Sequence, residues 1–220
     1  MLENLNRSVF QSMRSKKELC QSWKLYVITW PTTDLVKRVR EAVLGGAQVI
    51  QLRDKLATDD DLARQAKMLL EVTSALRVPL IVNDRVSVAK TAGADGVHLG
   101  QEDTSLEFAR SVLGEGAIFG RSTHSLEQAL AAEKEGFDYI GVGPVFETPT
   151  KAGRQAVGLD CVSAVSRNVR IPFVAIGGID PGNAGKVKKA GARAIAVVRA
   201  VLGSADPRSA ARTLRKSVEG

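Results

Sequence analysis

Polar and charged side chains follow several apolar runs of this 220-residue chain, in places where they could bind a phosphate group. Gln51, Arg53 and Lys55 alternate along one such run, so they would share one face of a strand. That face is usually apolar inside a parallel barrel, and an arginine and a lysine on it need an anionic partner such as phosphate oxygens. The segment therefore predicts a phosphate site, with a row of surface charges at a frayed strand end as the alternative.

Two carboxylates, Asp84 and Asp103, follow the next two apolar runs. Because the carboxyl ends of neighbouring parallel strands meet at one edge, we expect these side chains to lie close together. Such a pair forms either ion pairs with the nearby cations or a site for Mg²⁺, which takes one or two carboxylates and completes its shell with water and phosphate oxygens. His98 should face inward from the second run, either as a hydrogen-bonded structural residue or as a ligand contact.

Two later segments carry hydroxyl groups and a lysine. The cluster that begins at Ser122 has more hydroxyl groups than the capping of the following helix requires. Residues 143–158 form a connection longer than a barrel usually needs, which is typical of a lid. Thr148, Thr150 and Lys151 surround a proline within it and predict an anion-binding turn.

Backbone groups after the last two apolar runs suit a second phosphate. Gly177 and Gly178 follow the seventh run, and Val198 and Arg199 end the eighth. In barrels these two positions often form a phosphate cradle from backbone N–H groups. A pair of glycines alone is weak evidence, and its position here strengthens it.

The elements that must position these groups are indicated by a repeated junction. Four times a glycine ends a helical stretch and precedes an apolar run, at Gly46, Gly93, Gly136 and Gly191, 43 to 55 residues apart. Four further apolar runs lie between them, so we expect eight strands, over 26–29, 49–53, 80–83, 96–99, 118–121, 139–142, 173–176 and 194–198. Helical segments between the strands favour parallel pairing. The sequence thus predicts an α/β fold, a single-domain (β/α)8 TIM barrel, with a doubly wound open sheet as the alternative.

Composition places this barrel over residues 23–220, after a basic N-terminal extension over 1–22. The extension lacks the apolar core of a secretory signal, so we expect an N-terminal helix or a loose tail, with an organellar presequence as the alternative. No apolar stretch approaches the roughly 18 residues of a membrane span. Cys20 and Cys161 are too few for a disulfide framework, so we expect free thiols and a cytoplasmic protein.

The net charge of +7 raises the question of nucleic acid, but no basic stripe interleaved with aromatics is present. Attraction of anionic small molecules is the favoured interpretation. No nucleic-acid or membrane partner is expected, and a homo-oligomer is left open.

Seven runs of the chain, in order, resemble the thiamine-phosphate synthase family. They are QLRDK (51–55), IVNDR (81–85), GADGVHLGQED (93–103), STHS (122–125), DYIGVGPVFETPTK (138–151), VAIGGI (174–179) and GARAIAVV (191–198). The resemblance covers about residues 25–202 and implies a (β/α)8 enzyme that joins a hydroxymethylpyrimidine diphosphate to a thiazole phosphate. It also implies a dissociative reaction, in which diphosphate leaves, the pyrimidine methylene becomes cation-like and the thiazole nitrogen attacks it.

Carried over residue by residue, the resemblance also implies site roles. The pyrimidine diphosphate would be bound by Gln51, Arg53, Lys55, Asn83, Ser122 and Lys151. Catalysis, through stabilisation of the leaving diphosphate, would fall to Arg53, Lys55, Ser122 and Lys151. Mg²⁺ would be held by Asp84 and Asp103. The thiazole phosphate would be bound by Thr148 and Thr150 and by the backbone at Gly178, Val198 and Arg199.

One position departs from the family pattern, because Arg199 stands where the family usually has serine. Its guanidinium would either add a bond to the thiazole phosphate or turn to solvent. Two other functions compete with the synthase: a thiazole tautomerase-like barrel, for which His124 is the candidate base, and a non-catalytic protein that binds thiamine phosphate. Retention of Arg53, Lys55, Lys151 and the two carboxylates favours the synthase, because an isomerase has no diphosphate to bind.

Overall fold

Eight parallel strands form a closed barrel in chain order, and β8 pairs with β1. The computed structural model describes residues 15–148 and 155–219. The strands are β1 (Leu25–Ile28), β2 (Val49–Leu52), β3 (Leu80–Asn83), β4 (Gly96–Leu99), β5 (Ile118–Thr123), β6 (Tyr139–Val142), β7 (Phe173–Ile176) and β8 (Ile195–Val197). The predicted (β/α)8 fold is confirmed, and the alternative of an open sheet is wrong.

Ten helices are found in the described residues, most of them on the outside of the barrel. They are α1 (Lys16–Ser22), α2 (Leu35–Leu44), α3 (Asp59–Ala75), α4 (Val86–Ala92), α5 (Leu106–Leu113), α6 (Leu126–Glu135), α7 (Gly158–Asn168), α8 (Ala184–Lys189), α9 (Arg199–Leu202) and α10 (Pro207–Val218). Gly93 and Gly136 end α4 and α6 in the left-handed conformation, and their N–H groups bond to the last turn. The glycine junction therefore works as predicted at these two positions.

Two strand ends differ from prediction in ways that affect the site. β2 ends at Leu52 rather than at residue 53, so the alternation expected for Arg53 and Lys55 does not continue as strand. β5 extends two residues further, to Thr123, which makes Ser122 part of the strand. All other strand ends lie within one residue of the predicted ones.

The core has two layers, because each strand is covered on both faces. Aliphatic side chains fill the space between the sheet and the surrounding helices. A second cluster fills the barrel interior, and its largest members are Trp23, Tyr26 and Tyr139, each no more than 1% exposed. Filling by side chains makes the interior a packed core with a floor rather than a pore.

Helix α1 closes the end of the barrel at which the strands begin. Ser15 and Glu18 form a reciprocal capping box at its start. The Lys16 ammonium donates to the carbonyls of Glu115 (2.8 Å) and Ala117 (3.0 Å) and pairs with Asp138 at 3.3 Å. Part of the predicted N-terminal extension thus packs against the barrel, while residues 1–14 lie outside the described part of the chain.

Neither cysteine forms a disulfide: Cys20 is buried and Cys161 half-buried, and both are free thiols as expected. Within residues 15–148 and 155–219, no helix combines the length and apolar character needed to cross a bilayer.

Candidate functional site

A cavity of about 400 Å³ opens at the carboxyl ends of the strands. Eight of the predicted site residues line it: Gln51, Arg53, Asn83, Ser122, Thr148, Gly178, Val198 and Arg199. Three others, Lys55, Asp84 and Asp103, lie outside the cavity lining. The remaining two, Thr150 and Lys151, fall outside the described residues. The fold therefore brings together groups from six of its eight strands or their following loops.

Gln51 and Arg53 face the cavity from the end of β2. Gln51 is only 3% exposed, and its Nε2 donates to the Tyr26 hydroxyl at 2.8 Å. The Arg53 backbone N–H donates to Thr29 Oγ1 at 3.0 Å, which fixes the chain where β2 ends. Lys55 is more exposed and pairs with Asp84 at 3.7 Å. Of the two predicted cations, Arg53 thus lines the cavity, whereas Lys55 lies beside it in an ion pair with Asp84.

Asp84 and Asp103 lie side by side, as expected from neighbouring strands. The Asp84 carboxyl lies next to that of Asp103, whose Oδ2 accepts the Gly100 N–H at 2.6 Å. Burial, followed by the adjacent Asp103 carboxylate, raises the pKa of Asp84 to about 6, and Lys55 opposes this effect. Asp84 also has a φ of 61°, a left-handed backbone conformation that is uncommon for residues other than glycine.

The paired carboxylates take part in an ion pair with Lys55 and are also compatible with a magnesium ion, which stays a prediction. Among the described residues, no group of three or more His, Cys, Asp and Glu side chains is arranged around a common centre. Mg²⁺ does not need one, since it binds through one or two carboxylates, waters and substrate phosphate. Two adjacent carboxylates repel each other, and Lys55, at 3.7 Å from Asp84, offsets this repulsion only in part. A divalent cation bound between them would reduce it further.

Ser122 and His98 form part of the cavity floor. Ser122 Oγ lies 2.9 Å from His98 Nε2, and the Ser122 carbonyl accepts the Gln101 amide N–H at 2.6 Å. His98 is 7% exposed and bonds through Nδ1 to the Tyr139 hydroxyl at 3.0 Å. His98 is thus a hydrogen-bonded interior residue, as the first interpretation has it; it also lines the cavity, so a ligand contact stays a prediction.

The opposite side of the cavity is built from backbone. Gly177 and Gly178 have φ values of 107° and 62°, and Gly178 packs so closely that an added β-carbon would lie 2.8 Å from the Glu147 carbonyl oxygen. The Asn183 amide donates to the Gly178 carbonyl at 2.8 Å and holds the turn. Arg199 is exposed and is the first residue of α9. Together with Val198 these residues make a concave backbone wall suited to an anion.

Sequence reasoning missed the aromatic part of the floor. Tyr26 lines the cavity, and Tyr139 lies beneath it, in contact with His98. Period-two alternation along β1 and β6 would have pointed both side chains inward, but aromatic residues in buried strands are typical of a core. His124 also lines the cavity, and its Nδ1–H donates to the Gly143 carbonyl at 2.5 Å.

Comparison with known proteins identifies relatives over nearly the whole barrel. The model of a family described as thiamine monophosphate synthase matches residues 25–201. A thiamine-phosphate synthase of Chloroflexus aurantiacus is 45% identical over 201 residues, covering 89% of this chain and 93% of the relative. The thiamine phosphate pyrophosphorylase structure from Pyrococcus furiosus has a TM-score of 0.82 at 43% identity, covering 91% of this chain and 97% of that one.

Other relatives are longer than this chain. A thiamine-phosphate synthase of Thermosynechococcus vestitus is 42% identical over 202 residues, which make up 92% of this chain and 58% of the relative. The chain therefore spans little more than half the length of that protein. The match of the family model to most of the barrel, together with identities above 40%, shows that the chain belongs to the thiamine monophosphate synthase family.

Proposed function

We propose that the chain is a thiamine-phosphate synthase, which joins 4-amino-2-methyl-5-hydroxymethylpyrimidine diphosphate to a thiazole phosphate and releases diphosphate. The observation that carries this proposal is one cavity with two kinds of lining, each suited to an anion: polar side chains from β2, β3 and β5, and the backbone at Gly178 and Val198. A single-substrate isomerase would need only one of them. The family to which the chain belongs supports the same assignment.

The pyrimidine diphosphate is assigned to the side-chain wall. Arg53 offers a rigid guanidinium to the phosphate oxygens, and Gln51 and Asn83 offer amides to the ring. Lys55 and Lys151 are the further cations of this proposal. Mg²⁺, held by Asp84 and Asp103, would neutralise charge on the diphosphate oxygens.

The reaction breaks the bond between the pyrimidine methylene carbon and the diphosphate oxygen, and the electron pair leaves with the oxygen. The thiazole nitrogen then donates its lone pair to the cation-like carbon, which completes the new C–N bond. Arg53 and the Ser122 hydroxyl stabilise the charge that develops on the departing oxygen. Apolar lining from Ile28, Val174 and Ile176 reduces the access of water, which would otherwise capture the carbon.

The thiazole phosphate is assigned to the backbone wall. Gly178, Val198 and Arg199 supply N–H groups there, and Thr148 supplies a hydroxyl from the neighbouring loop. Thr150 belongs to the same proposal. Holding this substrate by its phosphate would orient the ring nitrogen toward the methylene carbon, so that the attack becomes effectively intramolecular.

The test combines both substrates with Mg²⁺ and follows thiamine phosphate and diphosphate by chromatography. We expect equimolar formation of the two products and none after chelation. Arg53→Ala should lower kcat/KM about 100-fold or more, because a charge-assisted contact from the half-buried Arg53 to the leaving group is lost. Arg64→Ala, which removes an exposed arginine of α3, is the matched control and should leave kcat/KM unchanged.

Other outcomes would identify the competing functions. Ligand binding without Mg²⁺-dependent product would favour a non-catalytic binder of thiamine phosphate. Isomerisation of a thiazole precursor without the pyrimidine substrate, lost on replacing His124, would favour a tautomerase. As a synthase, the protein would bind small phosphate esters, have no nucleic-acid partner and be located in the cytoplasm.

A further inference from the structure

Five side chains form a continuous hydrogen-bonded chain at the cavity floor. Gln51 Nε2 donates to the Tyr26 hydroxyl at 2.8 Å, and the Tyr26 and Tyr139 hydroxyls are 2.8 Å apart. The Tyr139 hydroxyl lies 3.0 Å from His98 Nδ1, and His98 Nε2 lies 2.9 Å from Ser122 Oγ. Both ends of this chain, which we call the floor chain, line the cavity. It therefore connects two groups that are assigned to the pyrimidine diphosphate.

The middle of the floor chain is buried and closely packed. Tyr26 is 1% exposed and Tyr139 is fully buried, and the Trp23 ring packs edge-on against both. Gly120 leaves the space in which Tyr139 and His98 meet, because a β-carbon there would overlap both side chains. In such an environment a hydroxyl proton without a partner is costly, so each proton must point to a neighbour in the chain.

This requirement fixes one direction of donation. The Tyr26 hydroxyl accepts from Gln51, so it donates its single proton to Tyr139, which in turn donates to His98 Nδ1. Burial raises the pKa of both tyrosines, which keeps them as O–H donors. His98 then carries its proton on Nε2 and donates to Ser122. The Ser122 proton and the Gln51 amide oxygen are left for the cavity.

We propose that the floor chain sets the hydrogen-bond polarity of the pyrimidine site, making Gln51 an acceptor at one end and Ser122 a donor at the other. A ligand of matching polarity has an N–H donor on a heteroaromatic ring and an anionic oxygen next to it. An aminopyrimidine diphosphate has both, so this inference rests on the proposed function and adds a mechanism of substrate selection. Tyr26, Tyr139 and His98 are positioning residues in it. Rotation of the Gln51 amide would reverse every donor and present the wrong group at both ends.

The direction of donation can be measured in the unliganded protein, without any substrate. The protein has two histidines, and nitrogen-15 NMR at pH about 8 distinguishes their neutral tautomers. We expect His98 as the Nε2–H form. His124 is the internal reference and should be the Nδ1–H form, since that nitrogen donates to the Gly143 carbonyl. Finding His98 as Nδ1–H would mean that the chain runs in the opposite direction and would overturn the proposal.

Two conservative variants test whether the ends are coupled through the middle. Tyr26→Phe releases the Gln51 amide while Tyr139 can still donate to His98. We expect the preference for the 4-amino substrate over its desamino analogue to fall about tenfold, with the His98 tautomer retained. Tyr139→Phe removes the donor to His98 Nδ1, so the His98 signals should shift toward a mixture of tautomers and kcat should fall about tenfold. His124 should be unaffected in both.

The matched control is Thr73→Val, which removes a buried hydroxyl of α3 that has no hydrogen-bond partner among the described residues. It should change neither selectivity nor the His98 signals. If the tyrosines are merely structural, both variants will lower the melting temperature and leave the 4-amino preference and the His98 tautomer as in the wild type, which would refute the proposal. If Tyr139→Phe does not fold, Tyr26→Phe still decides through substrate selectivity.

Failure of this inference and failure of the proposed function give different results. If the protein makes no thiamine phosphate, the proposed function fails, while the His98 tautomer still reports the direction of the floor chain. Turnover with unchanged 4-amino selectivity in Tyr26→Phe leaves the synthase standing and refutes the polarity proposal.

Discussion

Replacing Gly178 by alanine should weaken the binding of thiazole phosphate far more than an equally strained alanine elsewhere. At its φ of 62°, a β-carbon costs about 1–2 kcal/mol. The added carbon would also lie 2.8 Å from Glu147 O and from Phe146 Cβ. Overpacking of this kind costs about 1–3 kcal/mol more. The variant should therefore lose about 2–5 kcal/mol of unfolding free energy, unless the loop moves to relieve the contact.

Movement of the loop is what should change the kinetics. A displaced Gly178 N–H would lose a charge-assisted hydrogen bond to the phosphate, which is worth about 1.5–3 kcal/mol. At about 1.4 kcal/mol per tenfold, KM for the thiazole phosphate should rise about 10- to 150-fold. The assay is steady-state turnover at saturating pyrimidine diphosphate, together with a thermal melt.

Gly93→Ala is the matched control for the strain. Gly93 has a φ of 72°, but nothing lies within 4 Å of an added β-carbon, and it precedes β4 at the end of the barrel away from the cavity. It should lose only the backbone term, about 1–2 kcal/mol, with KM unchanged. Equal losses of stability in the two variants, together with an unchanged KM in Gly178→Ala, would refute the reasoning.

Three further predictions concern the metal, the barrel end closed by α1, and Arg199. Mg²⁺ should raise the melting temperature of the wild type by linkage, and Asp103→Asn should abolish both this shift and Mg²⁺-dependent turnover; a retained shift would exclude Asp103 as a ligand. Lys16→Ala should lower the free energy of unfolding by about 1–2 kcal/mol and leave KM unchanged, since three contacts of its ammonium are lost. Lys17 is exposed, so Lys17→Ala is the control and should show no measurable loss in a denaturant melt. Arg199→Ser should raise KM for the thiazole phosphate about two- to fivefold at low salt and less at high salt, because Arg199 is exposed and salt screens its charge. An effect on KM that does not depend on salt would contradict this.

The fold was predictable because two simple signals agree. Glycines such as Gly93 and Gly136 adopt the left-handed conformation that ends a helix, and the apolar runs after them are covered on both faces. The position of Arg53 and the two carboxylates at the barrel mouth was predictable as well, because charged residues are unexpected at the ends of buried strands; their roles stay predictions. Lys55 was placed less accurately, since alternation holds only within a strand and β2 ends at Leu52.

The floor of the cavity could not be predicted to the same degree. Tyr26, Tyr139 and His98 belong to β1, β6 and β4, which are distant in sequence and meet only across the closed barrel. Their contact depends on strand tilt and on the space left by Gly120, neither of which is visible in composition or periodicity. Each residue alone is typical of a core, and only the distances join them into a polar chain.

The attachment of α1 by Lys16 has a consequence for engineering this protein. The contacts of α1 and the cavity lie at opposite ends of the barrel, with packed interior side chains between them. Substitutions at the contacts of α1 should change heat resistance and leave the kinetic constants as they are, whereas substitutions at the cavity mouth such as Gly178→Ala should change both. Gains from the two should therefore combine additively, because distant sites without shared partners couple weakly.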